Sequence, residues 1–285
     1  MDISYEDFVT EKPFSFSAHS SIGCGGEASV AYFPQSIEQV EWIVRKLCQE
    51  NKPYYTVGAM TNILPPDGRL EKVVLGMSRL KGIHKLFVLA GTTGGELLAY
   101  CRKHLYSGAE FLYGIPCTLG GVLYMNAGVA GQYISDIVEN VTVLRNGKQE
   151  IVSVEDCAYG YKTSVFMQNG DIILGAQLRL QKADAIMIEN RLHSYRERRK
   201  HLPKGKSMGC VFKNPNGMIA GKLIEGAGLK GLRIGGATVS SQHANFIINE
   251  NGATASEIKQ LISIIKNAVF AQYKVQLEEE IRYLT

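Results

Sequence analysis

Three glycine-rich clusters in the first half of the chain constrain its structure more than any other feature. They occupy residues 21–26, 58–64 and 114–121, between segments with the apolar patterns of helices and strands. Glycine lets the backbone approach a ligand closely, and successive backbone N–H groups can converge on an anion such as a pyrophosphate. Three such turns indicate a dinucleotide ligand. For each cluster alone, a turn that merely needs positive φ stays open as the alternative.

The composition is that of an ordinary globular protein and excludes several classes. The chain has 285 residues, of which 45% are hydrophobic and 20% charged, and this balance excludes a disordered chain. Its net charge of +4 is too small to indicate a nucleic-acid partner. No apolar run approaches the length of a membrane span, and the first residues lack a signal-peptide pattern. We expect a cytoplasmic protein of about two domains.

The cysteines do not indicate a disulfide framework or a metal site. No pair has the CxxC spacing of zinc sites, so we expect reduced side chains and no bound metal. The six positions are Cys24, Cys48, Cys101, Cys117, Cys157 and Cys210.

Apolar periodicity in the first half predicts an α+β order of elements. A helix is expected over 37–48, capped by Ser36 with Gln39 as its capping-box partner, and a second one over 96–105. Strands are expected in PYYTVG, EKVVLGM and KLFVLAG, while residues 108–128 have the composition of a loop. Residues 134–180 are expected to form strands, with turns such as Asn146-Gly147.

The second half changes character at about residue 182, where a charged helical stretch begins. We therefore expect domains at 1–182 and 183–285. After the charged helix over 186–202, the patterns predict a short helix over 218–225 and strands in LRIGGATVS and ANFIINE. A helix capped by Thr254 and Glu257 follows, and VQLEEEIRYL is expected to be a strand with Glu278 and Glu280 on one face.

Three short patterns carry little weight. Residues 226–231 fit GxGxxG, but a helix precedes them where a dinucleotide fingerprint needs a strand. Residues 205–209 fit GxSxG, but no apolar strand leads into Ser207 as a hydrolase elbow requires. The basic run at 196–200 fits phosphate binding and a solvated helix face equally well.

A polar segment at 207–215 places a thiol, a cation and an amide side by side, at Cys210, Lys213 and Asn214. A thiol can donate a proton during catalysis. A buried, inert cysteine that packs beside Phe212 is the alternative.

Five longer motifs make the chain similar to the UDP-N-acetylenolpyruvoylglucosamine reductase family. In order they are EFLYGIPCTLGGVLYMNAG, GYKTSVF, GCVFKNP, AGLKGLRIGGATVSSQHANFIIN and LEEEIR. The resemblance runs from Ser20 to Arg282, and the chain's shortness resembles the second structural type of the family. It implies a two-lobed FAD-binding domain of the vanillyl-alcohol-oxidase (PCMH) type, followed by a smaller α+β substrate-binding domain.

The resemblance also implies an activity. NADPH would reduce FAD, and the flavin would pass hydride to UDP-N-acetylglucosamine enolpyruvate, giving UDP-N-acetylmuramate for peptidoglycan. The enzyme would act as a monomer. The alternatives are a flavoprotein of the same fold with another substrate or with oxygen as oxidant, and a homologue that binds a nucleotide-sugar without catalysis.

Residue roles follow from motif positions. Cys210 takes the place of the usual serine proton donor, Lys162 that of an arginine at the substrate carboxylate, and Glu280 that of a nearby glutamate. Lys213 and Asn214 would bind the uridine diphosphate. The residues implied for FAD are Gly58, Ala59, Met60, Thr61, Asn62, Ile63, Leu64, Gly114, Ile115, Pro116, Cys117, Thr118, Gly120, Gly121 and Asn126.

Several positions depart from the family pattern. Ala59 and Met60 stand within what is usually a glycine triplet, and Cys117 replaces a glycine, so added β-carbons can restrict the approach to FAD. Lys162 keeps a positive charge but lacks the planar fork of arginine. These departures bear on flavin affinity and turnover more than on the fold.

Overall fold

The computed structural model describes residues 8–285. The helices are α1 (Phe16–His19), α2 (Ile37–Gln49), α3 (Gly94–His104), α4 (Leu119–Met125), α5 (Phe166–Asn169), α6 (Ala185–Arg199), α7 (Ala220–Gly226) and α8 (Ala255–Tyr273). Within 8–285, no helix is long and apolar enough to cross a membrane.

Most strands are short. They are β1 (Val9–Glu11), β2 (Phe14–Ser15), β3 (Glu27–Ala28), β4 (Ala31–Phe33), β5 (Tyr54–Val57), β6 (Ile63–Leu64), β7 (Val73–Gly76), β8 (Ile83–His84), β9 (Phe87–Leu89), β10 (Tyr106–Ser107), β11 (Gly128–Val129), β12 (Gln132–Tyr133), β13 (Val138–Arg145), β14 (Lys148–Ser153), β15 (Ile172–Leu178), β16 (Gln181–Lys182), β17 (Lys206–Cys210), β18 (Arg233–Ile234), β19 (Ala237–Val239), β20 (Phe246–Asn249) and β21 (Arg282–Tyr283).

The chain forms two compact units, each made of separate stretches of sequence. Of the described residues, unit 1 comprises 8–11, Val30–Ala59 and Lys72–Lys200, and unit 2 comprises Lys12–Ser29, Met60–Glu71 and His201–Thr285. Two stretches from the first quarter of the chain therefore pack with its last third. The predicted domain boundary at residue 182 separates the part expected to bind FAD from the part expected to bind substrate. It is a division by ligand, not by contacts, and it stays a prediction.

Unit 1 contains two larger sheets. The first has the strand order β1-β4-β7-β5, and both β4 and β5 run parallel to β7. The second is antiparallel with the order β14-β13-β15-β9-β8. Between β13 and β14, Asn146 and Gly147 have φ of 50° and 75°, the left-handed values that a two-residue hairpin needs. The hairpin turn predicted at these two residues is thus confirmed.

The predicted helix over 37–48 is confirmed as α2, and its cap differs in one bond. The Ser36 hydroxyl accepts a hydrogen bond from the Gln39 backbone N–H at 3.3 Å. The Gln39 side chain accepts from the backbone N–H of Gln35 at 2.7 Å, not from Ser36. The reciprocal capping box was therefore wrong, because a glutamine side chain is long enough to reach one residue further back.

The interpretation of 108–128 as a loop was wrong, since α4 lies inside it. Leu119, Val122 and Leu123 follow helical spacing and are buried. The glycines of this segment have low helix propensity, which obscured the pattern. Gly120 packs closely on Ala90: a β-carbon there would lie 3.1 Å from the Ala90 β-carbon, so one of the two would have to shift by a few tenths of an ångström.

Unit 2 is built on an antiparallel sheet with the order β17-β20-β19-β18. Helix α8 packs against β18 and β19. Its capping box between Thr254 and Glu257 is present in both directions, as predicted. The predicted apolar face of α8 is buried, and its residues are Ile258, Leu261, Ile262, Ile265 and Val269.

The predicted strand over 275–284 was wrong for most of its length. Only β21 is a strand, parallel to β6, and Glu279 adds one isolated bridge to Phe212. Conversely, β17 was missed because its sequence KSMGC is mostly polar and only Met208 is buried. Ser207 lies inside β17 and not at a strand-to-helix elbow. This position removes the support for a hydrolase.

Candidate active site

The turn at 58–64 begins in unit 1 and continues in unit 2. A β-carbon on Gly58 would lie 2.3 Å from Thr118 Oγ1, so a larger residue would force this hydroxyl or the turn to move. Met60 adopts a positive φ of 48°, and within unit 2 its carbonyl accepts a bond from the Ser21 backbone N–H at 3.3 Å. The turn therefore keeps a left-handed conformation although the usual second and third glycines are absent.

Thr118 brings the two predicted phosphate turns together within unit 1. Its hydroxyl is buried, bonds no other residue of the part of the chain described here, and does not cap the helix that it precedes. A buried hydroxyl without a partner costs about 1–3 kcal/mol. Such an atom between two glycine turns fits a polar ligand that supplies the missing hydrogen bond.

Cys117 is accommodated away from this hydroxyl. Its sulfur lies 3.0 Å from the position that a β-carbon on Gly94 would take, at the start of α3. Its carbonyl accepts a hydrogen bond from the Gly94 backbone N–H at 3.3 Å. Burial raises the pKa of the Cys117 thiol to about 11, so the side chain stays neutral at ordinary pH. The packing space left by Gly94 explains how this loop tolerates a cysteine.

The basic residues of α6 contact the second glycine turn. Arg196 Nε donates to Tyr113 Oη at 3.0 Å, and its guanidinium lies 5.5 Å from the centre of that ring. The side chain of Arg199 packs over Gly114, with Nε 3.0 Å from the position of a β-carbon there. The basic face of α6 is therefore not purely solvated. Arg196 and Arg199 contact the second glycine turn, so these two side chains are only partly available to phosphates.

Lys162 occupies a strained turn in unit 1. Gly160 and Thr163 exchange backbone hydrogen bonds of 3.2 and 3.4 Å across it. Lys162 itself has a φ of 56°, a left-handed conformation that costs a residue with a β-carbon roughly 1–2 kcal/mol. Strain of this kind persists only where neighbours hold it, and it clusters at functional sites.

Asn126, predicted to contact FAD, bonds the main chain of unit 1. Its Nδ2 donates to the Gly160 carbonyl at 2.9 Å, and its Oδ1 accepts from the Ser135 backbone N–H at 3.3 Å. Residue 126 is only 4% exposed and ends α4 with a φ of 43°. The side chain therefore links the end of α4 to the Lys162 turn.

Cys210 stands at the end of β17 beside an irregularity. The register with β20 shifts between Ser207 and Cys210, and Gly209 has a φ of 76°. A bulge of this kind redirects the side chain that follows and is common next to active sites. Cys210 is half-buried and not in a disulfide.

Asn245, which the motif reading did not single out, holds the segment after Cys210 in place. Its Oδ1 accepts from the Phe212 backbone N–H at 2.9 Å and its Nδ2 donates to the Phe212 carbonyl at 2.8 Å. The Asn245 carbonyl also accepts from the Val211 backbone N–H at 2.8 Å. In the sequence, the position of Asn245 inside the apolar run ANFIIN could have indicated that its buried amide bonds the main chain.

Glu280 joins three predicted segments within unit 2. Its backbone N–H donates to the Val211 carbonyl at 2.8 Å, and its carbonyl accepts from Asn62 Nδ2 at 3.0 Å. The structure thus brings together the predicted phosphate turn at Asn62, the segment that follows the predicted proton donor Cys210, and the terminal glutamates. Lys162 belongs to unit 1, whereas Cys210 and Glu280 belong to unit 2.

The other two glutamates of the run form ion pairs. Glu278 pairs with Lys213, and Glu279 pairs with Lys266 at 2.7 Å. Burial raises the pKa of Glu279, but hydrogen bonds from Lys266 and Tyr283 outweigh burial, so the pKa is lowered and the carboxylate is charged. Glu279 therefore acts as an internal brace of unit 2.

Lys213 and Asn214 lie next to each other but contact different parts of unit 2. The Lys213 backbone N–H donates to the Glu278 carbonyl at 2.9 Å. Asn214 Oδ1 accepts from the backbone N–H of Ala220 at 3.0 Å, at the first residue of α7. Lys213 is thus held against the terminal glutamate segment, and Asn214 is held against the start of α7.

Family models match two parts of the chain. The model described as "UDP-N-acetylenolpyruvoylglucosamine reductase, C-terminal domain" matches residues 200–284. The model described as "FAD binding domain" matches residues 28–155. The two matches confirm the expected α+β fold class, in which an FAD-binding domain precedes a smaller C-terminal domain of this reductase family.

Named relatives resemble the chain over almost its whole length. The UDP-N-acetylenolpyruvoylglucosamine reductase of Clostridioides difficile (strain 630) is 37% identical over 290 residues, with 99% of this chain and 95% of that protein covered. The reductase of the same name from Clostridium novyi (strain NT) is 35% identical over 272 residues, covering 93% and 88%.

A solved structure supports the same assignment. The crystal structure of UDP-N-acetylenolpyruvylglucosamine reductase (MurB) from Thermus caldophilus superposes with a TM-score of 0.87 at 30% identity. The match covers 98% of this chain and all of that one. On sequence and on structure, the chain belongs to the UDP-N-acetylenolpyruvoylglucosamine reductase family.

Proposed function

We propose that the chain performs the reaction of its family, the reduction of UDP-N-acetylglucosamine enolpyruvate to UDP-N-acetylmuramate for peptidoglycan synthesis. It is an FAD-dependent oxidoreductase that uses NADPH. The observation that carries the proposal is the buried Thr118 hydroxyl, which lies between two glycine turns and has no hydrogen-bond partner among residues 8–285. The turns at 58–64 and 114–121 would hold FAD, whose bound flavin would relay hydride from NADPH to the substrate.

The proposed roles of Lys162 and Cys210 depend on where negative charge develops on the substrate during the reaction. Hydride arriving at C3 of the enolpyruvyl group leaves negative charge at C2 that spreads into the carboxylate. The ammonium of Lys162 would stabilise this charge, which is usually the largest catalytic contribution. Cys210 would then give its proton to C2, and the product leaves with both hydrogen atoms added across the former double bond.

Glu280, Lys213 and Asn214 complete the proposed site. Main-chain bonds hold Glu280 between Asn62 and the segment after Cys210, which supports a place near the proton transfer. Lys213 and Asn214 would bind the uridine diphosphate, and the bonds of both residues in unit 2 give them fixed positions. The pairing of Lys213 with Glu278 would then loosen as phosphate charge arrives.

The test uses the purified protein and its own flavin spectrum. Anaerobic NADPH should bleach the visible absorbance, and the enolpyruvyl sugar should then restore it without oxygen. Recovery only with oxygen would favour an oxidase, and a protein without flavin absorbance would favour a non-catalytic homologue. A cytoplasmic location and a monomeric state stay predictions, which fractionation and size-exclusion chromatography check.

A further inference from the structure

The Lys162 turn is tied to the end of α4 by hydrogen bonds from two buried side chains, one on each element. Asn126 donates to the Gly160 carbonyl at 2.9 Å, and the Ser164 hydroxyl donates to the Tyr124 carbonyl at 2.7 Å. Asn126 is 4% exposed and Ser164 is 2% exposed. One bond holds the turn before Lys162 and the other holds it after, so the strained residue is restrained from both sides.

The helix that these two bonds tie to the Lys162 turn begins at the second glycine turn. The first two backbone N–H groups of α4, at Leu119 and Gly120, donate to the Thr92 and Ala90 carbonyls at 2.9 and 2.8 Å. Its start is thereby fixed beside Thr118, and its end carries Asn126. One rigid helix therefore spans from the proposed cofactor turn to the Lys162 turn.

We propose that Asn126 and Ser164 are positioning residues, which hold Lys162 in its left-handed conformation at a set distance from the cofactor turn. This inference rests on the proposed function of the chain, and it assigns Asn126 to Lys162 in place of direct contact with FAD. An ammonium that must meet charge appearing on a substrate gains from a fixed position, since small misplacements of catalytic groups are costly.

The backbone at residue 126 sets the choice of variant. Asn126 has a φ of 43°, so Asn126→Gly removes the amide and tolerates the same conformation. Ser164→Ala removes the other bond. The matched control is Asn146→Gly, which makes the same substitution at an exposed left-handed asparagine in the β13–β14 hairpin.

The measurement separates the two half-reactions in a stopped-flow instrument. Both variants should bind FAD and be reduced by NADPH within about twofold of the parent, while reoxidation by the enolpyruvyl sugar slows by about tenfold or more. The control should match the parent in both steps. A raised dissociation constant for FAD in Asn126→Gly would overturn the inference and return Asn126 to the cofactor site.

A second step shows whether the two residues act through Lys162. In a Lys162→Met background, Asn126→Gly and Ser164→Ala should slow reoxidation no further, because the group that they position is gone. An equal slowing in both backgrounds, or parental reoxidation by the single variants, would overturn the inference. Asn126→Asp, which keeps the acceptor and loses the donor, replaces Asn126→Gly if the latter does not fold.

Failure of the proposed function has a different signature. If the parent's reduced flavin is not reoxidised by the enolpyruvyl sugar, the function is contradicted and the role of Asn126 and Ser164 falls with it. If the parent turns over and the variants do too, only the positioning role is contradicted.

Discussion

The buried hydroxyl of Thr118 faces Gly58 so closely that a β-carbon on Gly58 would lie 2.3 Å from its oxygen. That oxygen bonds no other residue within 8–285. A hydroxyl left in this state destabilises the protein without ligand and is satisfied when a ligand supplies a polar atom. Removing the hydroxyl should therefore stabilise the protein without FAD but weaken FAD binding, and a β-carbon at Gly58 should also weaken FAD binding.

Thr118→Val should stabilise the flavin-free protein and weaken FAD binding. The variant keeps the side-chain shape and removes an unsatisfied buried hydroxyl, so the free energy of unfolding should rise by about 1 kcal/mol. The FAD dissociation constant should rise about tenfold, equivalent to one lost hydrogen bond. Urea unfolding of the apoprotein and flavin fluorescence titration measure the two effects, and unchanged FAD affinity would contradict the role of the hydroxyl.

Gly58→Ala should raise the FAD dissociation constant because its methyl group would overlap the Thr118 oxygen. Overpacking of this kind costs about 1–3 kcal/mol, or roughly tenfold to a hundredfold in affinity if the turn moves to relieve it. Gly95→Ala is the control in α3, where the nearest atom would lie 4.0 Å away. Equal flavin affinity in the two variants would show that the turn tolerates a β-carbon.

Lys162→Met should leave reduction by NADPH nearly intact and slow reoxidation by the sugar. If the ammonium stabilises developing charge by about 3 kcal/mol, the slowing is roughly a hundredfold or more. Lys162→Arg should restore most of the rate, since it keeps the charge and adds a fork that suits a carboxylate. Stopped-flow absorbance measures both steps. An equal loss in both half-reactions would mark a structural lysine.

Cys210→Ala should stall the protein after normal flavin reduction, because protonation at C2 would lack its donor. Cys210→Ser should keep substantial activity, since a hydroxyl is the usual donor in the family. Reoxidation rates under anaerobic conditions decide between them. A parental rate in Cys210→Ala would assign the cysteine to packing and move the search for the donor to Glu280.

Asp67 should make the stability of unit 2 depend on acid pH. Its carboxylate accepts bonds from the backbone N–H groups of Ala255 and Ser256, at 2.6 and 2.9 Å, at the start of α8. Burial raises the pKa of Asp67, but the bonds from Ser256 and from the two backbone N–H groups lower it more. Because the folded pKa lies below the unfolded one, this stabilisation is complete above about pH 4 and is lost as pH falls further.

Thermal unfolding of Asp67→Asn tests the effect. The variant should lose about 1 kcal/mol or less at pH 7, a usual value for a helix cap, and should approach the parent at pH 3. Glu155→Gln, at an exposed carboxylate, serves as the control. A difference between parent and Asp67→Asn that stays constant from pH 7 to pH 3 would exclude a charged cap.

Local patterns predicted the elements whose stability is local. The helices α2 and α8 have strict apolar spacing and side-chain caps, and the hairpin at Asn146-Gly147 has the residues that its turn requires. In contrast, α4 is held by contacts with Ala90 and Thr92, and β17 is defined by pairing with β20. The residues that stabilise α4 and β17 lie outside these segments, so the pattern within each segment could not predict them.

The site divides in the same way. Motif positions predicted Lys162, Cys210 and Glu280 as site residues, and their roles stay predictions. Sequence spacing could not show that Asn62 bonds Glu280, nor that Asn245 brackets Phe212, because each bond joins residues far apart in the chain. Asn126 was assigned a role from its motif, and only its partner Gly160 indicated another.

The pairing of β6 with β21 has a consequence for how the protein is made. Ile63–Leu64 leave the ribosome early, and their parallel partner Arg282–Tyr283 leaves only after all of unit 1, which ends at Lys200. Domains generally fold as units while the ribosome synthesises the chain, and synthesis adds about 5–20 residues per second. Unit 1 can thus begin to fold while Ile63–Leu64, at the end of the predicted phosphate turn at 58–64, still lack their partner strand. In a nascent chain that has not reached residue 282, the predicted cofactor turn at 58–64 therefore lacks the strand that pairs with Ile63–Leu64.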